Sequence, residues 1–455
     1  MRILLINPPA GSIYHFLRLK TPPLGIAYIA AVLREGGHQV KIADLNVEPL
    51  DYKTLPYHEF DVVGISVDTM RYPIALKIAE VAKQNKKTVV AGGQHVTFFD
   101  SEALSTGLFD FIVRGEGEMT MRDLVQHIEE GNSFEEVKGI SFVSEGEVIR
   151  TPNRPLIQDL DSLPLPARDL LPLSRYTTSL GGRLQTAALT SRGCPFNCEF
   201  CACSQFFGRT WRTRSVENVM DELDFLRKKY GYRAVAFFDD NFTLSTKRMI
   251  KFCESILQRK WDIHWWAFSR VDSVVKHEDV VKLMARAGLK QVFMGFESGS
   301  QEVLDQFGKD LDVEKAFKAV EILKKYKITV WASFIIGALN ETKKMIKQTI
   351  KFANRLNPDF IQFGILTPYP GTALYEKVKK RLLTTNWSKF WGGDPVIRLD
   401  KLSAKQLKKL FWRANLSFYL RPKRLFSVVL PFFLSTSKDS RKRNRNLTKP
   451  DLSQR

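Results

Sequence analysis

The chain has 455 residues and a formal net charge of +20, with 44% hydrophobic and 26% charged residues. That balance excludes a disordered or fibrous protein, and the length is too great for one ordinary domain. The charge is not spread as a nucleic-acid binder would need: residues 401–455 carry 15 Lys and Arg against Asp439 and Asp451, a net of +13 that leaves +7 for the first 400. No nucleic-acid partner is expected.

From Arg2, short apolar runs alternate with amphipathic segments: RILLIN, PLGIAYIAAVLREGG, QVKIADL, DVVGISV, PIALKIAEVAKQN, KTVVAGG, FDFIVRGEGE and MRDLVQHIEEG. The runs are β-rich and the intervening stretches have helical spacing, which predicts an α/β fold with a Rossmann-like, doubly wound parallel sheet over residues 1–140. Ligands of such sheets sit outside the carboxyl ends of the strands. Asn7, Ser66, Gly92, Gly93, His95, Gly115 and Glu116 therefore become candidate binding residues, although the Gly-Gly pair also reads as a simple turn and His95 as a loop or core histidine. No GxGxxG follows the first strand, which argues against a dinucleotide. The N-terminal MRILLINPPAGS lacks a secretory signal, so a cytoplasmic, reducing compartment is expected, where clustered cysteines point to metal or redox chemistry rather than disulfides.

Residues 141–185 are Pro-rich and read as a linker over a surface. A second alternation follows over 186–395, with strand-like runs at LQTAALTS, RAVAFFDD, IHWWAFSR, KQVFMGFES, ITVWASFIIG and DFIQFGIL. Six βα units predict a partial (β/α)6 TIM-type barrel with its chemistry on the loops after the strands. Those loops hold four cysteines, Asp239, Asp240, Arg270, Glu297, Ser298, Gly337 and Thr367. Residues 396–437 form a basic, aromatic extension with helical spacing, and 438–455 read as a disordered basic tail.

The stretch TSRGCPFNCEFCAC places Cys194, Cys198 and Cys201 in C-x3-C-x2-C on the loop after the first barrel strand. A zinc site usually wants two separated ligand pairs, and no second pair exists here. Three thiolates on a four-iron cluster leave one iron open to substrate or cofactor. Cys203 reads either as a fourth ligand or as a small packing residue, and Cys253 as core.

The motif, the aromatic Phe200 before its last cysteine and the barrel position together resemble the radical S-adenosylmethionine (SAM) superfamily. The resemblance implies a [4Fe-4S] cluster whose open iron chelates SAM, and a 5'-deoxyadenosyl radical that abstracts hydrogen from an unreactive carbon. It also implies SAM contacts at the Phe238-Asp239-Asp240-Asn241 turn, whose backbone would hold the SAM amino group and where Asp239 and Asp240 stand in place of the more usual Gly-Gly-Glu, at Arg270 for the SAM carboxylate, and at Glu297 with Ser298 for the ribose. FIIGALNET (334–342) and LTPYPGTALYE (366–376) resemble the later strand ends that hold adenine and admit substrate. For Asp240 and Arg270 a structural turn or salt bridge is an equal reading.

With the N-terminal sheet and Pro-rich linker included, residues 1–395 resemble the cobalamin-binding subgroup. The D-x-H-x-x-G signature that supplies a cobalt histidine is absent, since Leu45 and Asn46 follow Asp44. Cobalamin is thus implied by the domain and not by a ligand, His95 being the nearest imidazole. RNA-modifying methylthiotransferases, the rival class, carry extra cluster cysteines in the N-terminal domain, whereas residues 1–193 contain none. The expected activity is methyl transfer or carbon–carbon bond or ring formation, with a reductant such as ferredoxin or flavodoxin. The expected substrate is a hydrophobic isoprenoid or membrane lipid, with a tetrapyrrole or other soluble precursor as the alternative. The basic, aromatic segment 405–437 is expected either to lie at the membrane's cytoplasmic face or, over 401–420, to close the barrel.

Overall fold

The computed structural model describes residues 1–9, 20–421 and 424. The apolar run 425–434 and the tail 438–455 lie outside the described residues. The N-terminal sheet has the order β2-β1-β3-β4-β5-β6-β7. Its parallel part is β1 (Arg2–Asn7), β2 (Gln39–Asp44), β3 (Val62–Ser66), β4 (Thr88–Gly92) and β5 (Phe111–Val113). Near-continuous burial of ILLIN and VVGI is what a strand covered on both faces requires. Helices Leu24–Glu35 and Gly117–Glu130 cover one face and Tyr72–Gln84 the other. The order reverses between β1 and β3, so the crevice lies between Asn7 and the segment after Ser66.

Two antiparallel strands, β6 (Ile140–Ser144) and β7 (Glu147–Arg150), extend this sheet beyond the parallel strands read from the sequence. Their two-residue connection, Glu145-Gly146, has φ of 50° and 84°, both in the left-handed region that a tight type I′ hairpin uses. The segment that follows runs in short 3-10 turns and is tied into both neighbours. Tyr176 donates to Asp44 Oδ2 at 2.7 Å, and Arg168 pairs with Glu222 at 2.5 Å.

The second sheet has the order β16-β15-β14-β13-β12-β9-β8. After the short edge strand β8 (Ser179–Leu180), six parallel strands form a half-barrel: β9 (Arg183–Ala188), β12 (Ala234–Phe237), β13 (His264–Ser269), β14 (Leu289–Glu297), β15 (Thr329–Ile336) and β16 (Phe360–Ile365). A small ribbon, β10 (Ser191–Arg192) with β11 (Arg212–Thr213), brackets the cysteine loop. Outer helices seal the apolar backs of the strands, and the helix Ala404–Tyr419, begun by a Ser403/Gln406 capping box, buries Leu407, Leu410, Phe411, Ala414 and Phe418 in the same core. Another core joins the two domains: Leu4, Ile6 and Ile65 of the first sheet share it with Phe307, Leu366 and Trp387.

Glu222 is fully enclosed between Arg168 of the connecting segment and Arg214. Burial alone would push its carboxyl up, but the two guanidiniums outweigh that and hold it below the usual range. A carboxylate depressed in the folded state stabilises above its unfolded pKa and loses that contribution as pH falls through the folded value. Glu222→Gln is therefore expected to cost about 3–5 kcal/mol at neutral pH. In urea titrations the gap between variant and parent should narrow in acid; a gap that widens in acid would contradict the assignment.

Candidate active site

The cysteine loop leaves β9 through β10 and turns at Gly193, whose φ is +88° and where a Cβ would stand 2.3 Å from the Thr210 carbonyl oxygen. Only glycine fits there. Cys194, Cys198, Cys201 and Cys203 are all partly exposed, whereas Cys253 is buried in the barrel core. The loop is clasped from outside: Glu199 N–H donates to the Phe307 carbonyl at 3.0 Å, Leu374 N–H donates to the Glu199 carbonyl at 3.1 Å, and Phe200 packs edge-on against Phe307. Cys201 N–H closes a turn onto the Cys198 carbonyl at 3.0 Å.

The thiols differ electrostatically. Burial pushes Cys194 and Cys198 up, while a hydrogen bond with the Cys203 thiol brings Cys201 down to about 7. Cys203 is itself pushed up, first by that bond and then by burial. It supports Cys201 from the side. Among the described residues no three Cys, His or carboxylate groups converge on a point as one mononuclear ion would need. A cubane cluster asks less, because each thiolate takes a different iron.

Around this loop the predicted carboxylates divide. Asp240 accepts from Gly193 N–H at 3.0 Å and bonds Cys203, so it faces the cluster loop. Asp239 is turned into the fold, where it accepts from Thr190 N–H at 2.7 Å and from the hydroxyls of Thr190 and Ser191. Ser298 is likewise occupied by Thr349 at 3.0 Å and by Ser300 N–H at 3.1 Å. These two brace backbone rather than face the site, because neighbouring side chains at a strand end point to opposite sides. Arg270 lies over the Phe196 ring, 3.6 Å from its centroid, and is oriented by Asp272.

Glu297 follows a register shift at the end of β14 and has φ of +59°. Such a conformation is held only where its surroundings enforce it. Here the enforcing group is Lys309, which donates to Glu297 Oε1 at 2.6 Å and to the Gly295 carbonyl at 2.9 Å. A Cβ on Gly295 would stand 2.1 Å from that carboxylate oxygen, so the pair needs glycine there. Lys309 was not among the sequence candidates.

Two cavities meet at Phe238. The first, about 330 Å³, runs between the N-terminal sheet and helix Leu24–Glu35 and is lined by Ser66, Gly92, Gly93, Gly115 and Glu116 together with Gly25, Gly64 and Asp240. The second, about 530 Å³, opens from Asn7 and Arg71 into the barrel lumen past Trp266, Phe293 and Trp331. His95 lines neither. It is buried with its ring between Tyr72, Phe99 and Trp387 at 4.4–5.4 Å, and burial brings its pKa down to about 3. Of the two readings of this residue, the structure gives the core histidine.

A buried ion network joins the domains beside these cavities. Arg192, two residues before Cys194, donates to Glu116 at 2.9 Å and to Glu118 at 2.6 Å, and Arg212 donates to Glu116 at 2.9 and 3.0 Å. The GEGE loop of the first sheet is thus fastened to the root of the cysteine loop.

A nucleotide-type domain set against a half-barrel, with a three-thiol loop at the rim and a glycine-lined slot alongside, defines an enzyme that works at an iron–sulfur centre beside a large cofactor. Residues 189–353 match the radical SAM superfamily and residues 17–125 the B12 binding domain. An uncharacterized methyltransferase of Pyrococcus horikoshii is 41% identical over 439 residues, covering 94% of this chain and 95% of its own. The anaerobic magnesium-protoporphyrin IX monomethyl ester cyclase of Rubrivivax gelatinosus is 30% identical, covering 90% and 75%. In fold, the chain matches the radical SAM methyltransferase TsrM of Kitasatospora setae, solved with cobalamin and a [4Fe-4S] cluster, with a TM-score of 0.71 at 18% identity over 91% of this chain and 84% of that one. The chain belongs to the cobalamin-binding branch of the radical SAM superfamily, and its cofactors are a [4Fe-4S] cluster, SAM and cobalamin.

The residues present fit those groups. Three thiols lie on one partly open loop. Glycine leaves space in the slot: Gly25 and Gly115 both line it, and a Cβ on either would meet nothing within 4 Å.

Proposed function

We propose that Cys194, Cys198 and Cys201 ligate the cluster, and that this methyltransferase- or cyclase-type enzyme modifies an unactivated carbon of a hydrophobic substrate, an isoprenoid or membrane lipid. When bound, the cluster and SAM supply a radical that removes hydrogen from carbon, and cobalamin supplies a methyl carrier. The chain's own residues bind and orient. Glu297, held by Lys309, accepts from the ribose hydroxyls; Arg270, fixed over Phe196, meets the SAM carboxylate; Asp240 holds the loop that carries the thiols. Ser66, Gly92, Gly93, Gly115 and Glu116 line the cobalamin slot, and Asn7 stands at the mouth of the adjoining cavity.

The observation that carries this reading is the pair of cavities sharing Phe238, one a glycine-lined slot bordered by Arg192, Phe206 and Asp240 at the cysteine loop and the other an aromatic chamber in the barrel lumen. Gly25 gives a clean test, since a Cβ there meets nothing within 4 Å. Gly25→Leu should place a side chain in the slot from a position where its Cβ is unobstructed. Cobalamin retained after gel filtration should fall, with iron content and fold intact. Undiminished cobalamin would remove the slot from the reading.

Helix Ala404–Tyr419 supports contact with a membrane surface. Trp412 and Leu416, and Leu420 just beyond its end, form an exposed stripe of 47–62% accessibility beside exposed Lys405, Lys409 and Arg413. Among the described residues no helix is long and apolar enough to cross a membrane. An exposed apolar stripe flanked by cations suits anionic headgroups. Replacing all three apolar residues by serine should abolish pelleting with phosphatidylglycerol vesicles; pelleting that persists would refute this contact.

A further inference from the structure

The barrel lumen carries more polar recognition than a saturated chain could use. Registers across the half-barrel set its inward side chains in rungs: Trp266 beside Gln291, then Phe268, Phe293, Trp331 and Phe360 in succession. Ring centroids in that second rung are 5.1, 5.9 and 6.0 Å apart. This is a continuous aromatic wall. Stacking on such a wall favours a flat ligand, whose faces meet the ring faces and edges.

Set among the rings are uncharged groups with unused hydrogen-bonding capacity. Trp331 Nε1–H is buried with no acceptor among the described residues. The side-chain amides of Gln291 and Gln362, both lining the cavity, make no hydrogen bond among the described residues. Gln185 accepts from Trp266 Nε1 at 3.0 Å through its carbonyl oxygen, which leaves its amide nitrogen as a donor. The charged groups lining the chamber, Lys20 and Arg71, both precede the barrel in the chain. The lumen therefore offers amide donors and acceptors and an indole donor.

Covering these groups with hydrocarbon would remove water from all of them and return no bonds, a cost that a buried donor carries in full. A ring edge with its own acceptor and donor would satisfy them. We infer that the part of the substrate seated in the lumen is a flat conjugated ring with an uncharged polar edge, a carbonyl, lactam or ring nitrogen, and not a saturated chain. This rests on the reading that the chamber receives the substrate. It narrows the hydrophobic substrate to one whose inserted end is such a ring, with any aliphatic part directed outward.

Three probes separate the possibilities: 2-quinolinone, a flat ring with a lactam edge; naphthalene, a similar ring without it; and 1-dodecanol, a saturated chain. Saturation-transfer NMR on the anaerobically reconstituted full chain gives their affinities. Quinolinone should bind about tenfold or more tighter than either competitor. Gln291→Leu with Gln362→Leu should erase its advantage over naphthalene, and Trp331→Phe should reduce it while the stacking wall remains. If the leucine pair lowers the thermal midpoint, the asparagine pair, which shortens each amide by one methylene, serves the same comparison. Dodecanol binding as tightly as quinolinone, or a lactam preference that survives both amide variants, would overturn the inference. SAM cleavage in the same preparation keeps the two readings apart. Its loss with the lactam preference intact counts against the proposed activity alone, and the reverse counts against the ring alone.

Discussion

Single replacement of Cys194, Cys198 or Cys201 by alanine is expected to remove the cluster and abolish reductive SAM cleavage, while Cys203→Ala keeps both. The three proposed ligands sit on one loop whose entry turns at Gly193 and whose outer edge is clasped by Phe307 and Leu374, and the further thiol beside them, Cys203, is engaged by Cys201 and Asp240 at the start of a helix, so it does not take a lost ligand's place. Cys203 touches Cys201 and Asp240, and its removal should weaken the cluster by about 10–100-fold in affinity, as loss of an outer hydrogen bond does, without preventing assembly. Iron content and the charge-transfer absorbance of anaerobically reconstituted variants decide this. A Cys203→Ala chain without iron, or a Cys201→Ala chain with a full complement, would reassign the ligand set.

The second large effect is expected at Arg192. Leucine there leaves Glu118 without its charged partner and Glu116 with Arg212 alone, in a region where all three side chains are nearly buried. Breaking one partner of a buried pair costs about 3–5 kcal/mol, whereas replacing both by apolar groups can be neutral. Arg192→Leu should therefore lower the thermal midpoint sharply, and adding Glu118→Leu should recover much of the loss, a coupling that a double-mutant cycle reads directly. Arg192→Lys should not rescue, because one ammonium cannot hold two carboxylates as the planar fork does. Since the network fastens the GEGE loop to the cysteine loop, cobalamin retention should fall along with stability. A simple surface role would leave both unchanged.

Where chemistry is encoded in local spacing, the sequence was a sufficient guide. C-x3-C-x2-C is one turn of loop, and the six barrel strands announce themselves as short β-branched and aromatic runs separated by helical stretches, although β13 to β16 bury only every second residue fully and turn the others to the lumen. The antiparallel hairpin at 140–150 had its own local signal, a Glu-Gly connection between alternating residues, but was merged into the end of the domain and the linker. Asp239 and Ser298 were sound candidates by position at strand ends, yet a strand end offers two directions and these took the inner one. Lys309, the partners of Arg192 and the amides of the lumen were not legible, because their meaning comes from tertiary pairing. Arg192 and Glu116 are 76 residues apart. The rung that joins Phe268, Phe293, Trp331 and Phe360 exists only once four strands are in register.

The most direct test of the central claim is an anaerobic assay of the chain carrying its cluster and cobalamin, with SAM, a low-potential reductant and an extract that contains the substrate, quantifying 5'-deoxyadenosine and S-adenosylhomocysteine together. A methyl-transferring enzyme consumes one SAM for the radical and one for the methyl group, so both products should rise in equal amounts and both should vanish in Cys198→Ala. Deoxyadenosine alone would mark bond or ring formation without methyl transfer. Neither product from a protein with a full cluster would contradict the assignment.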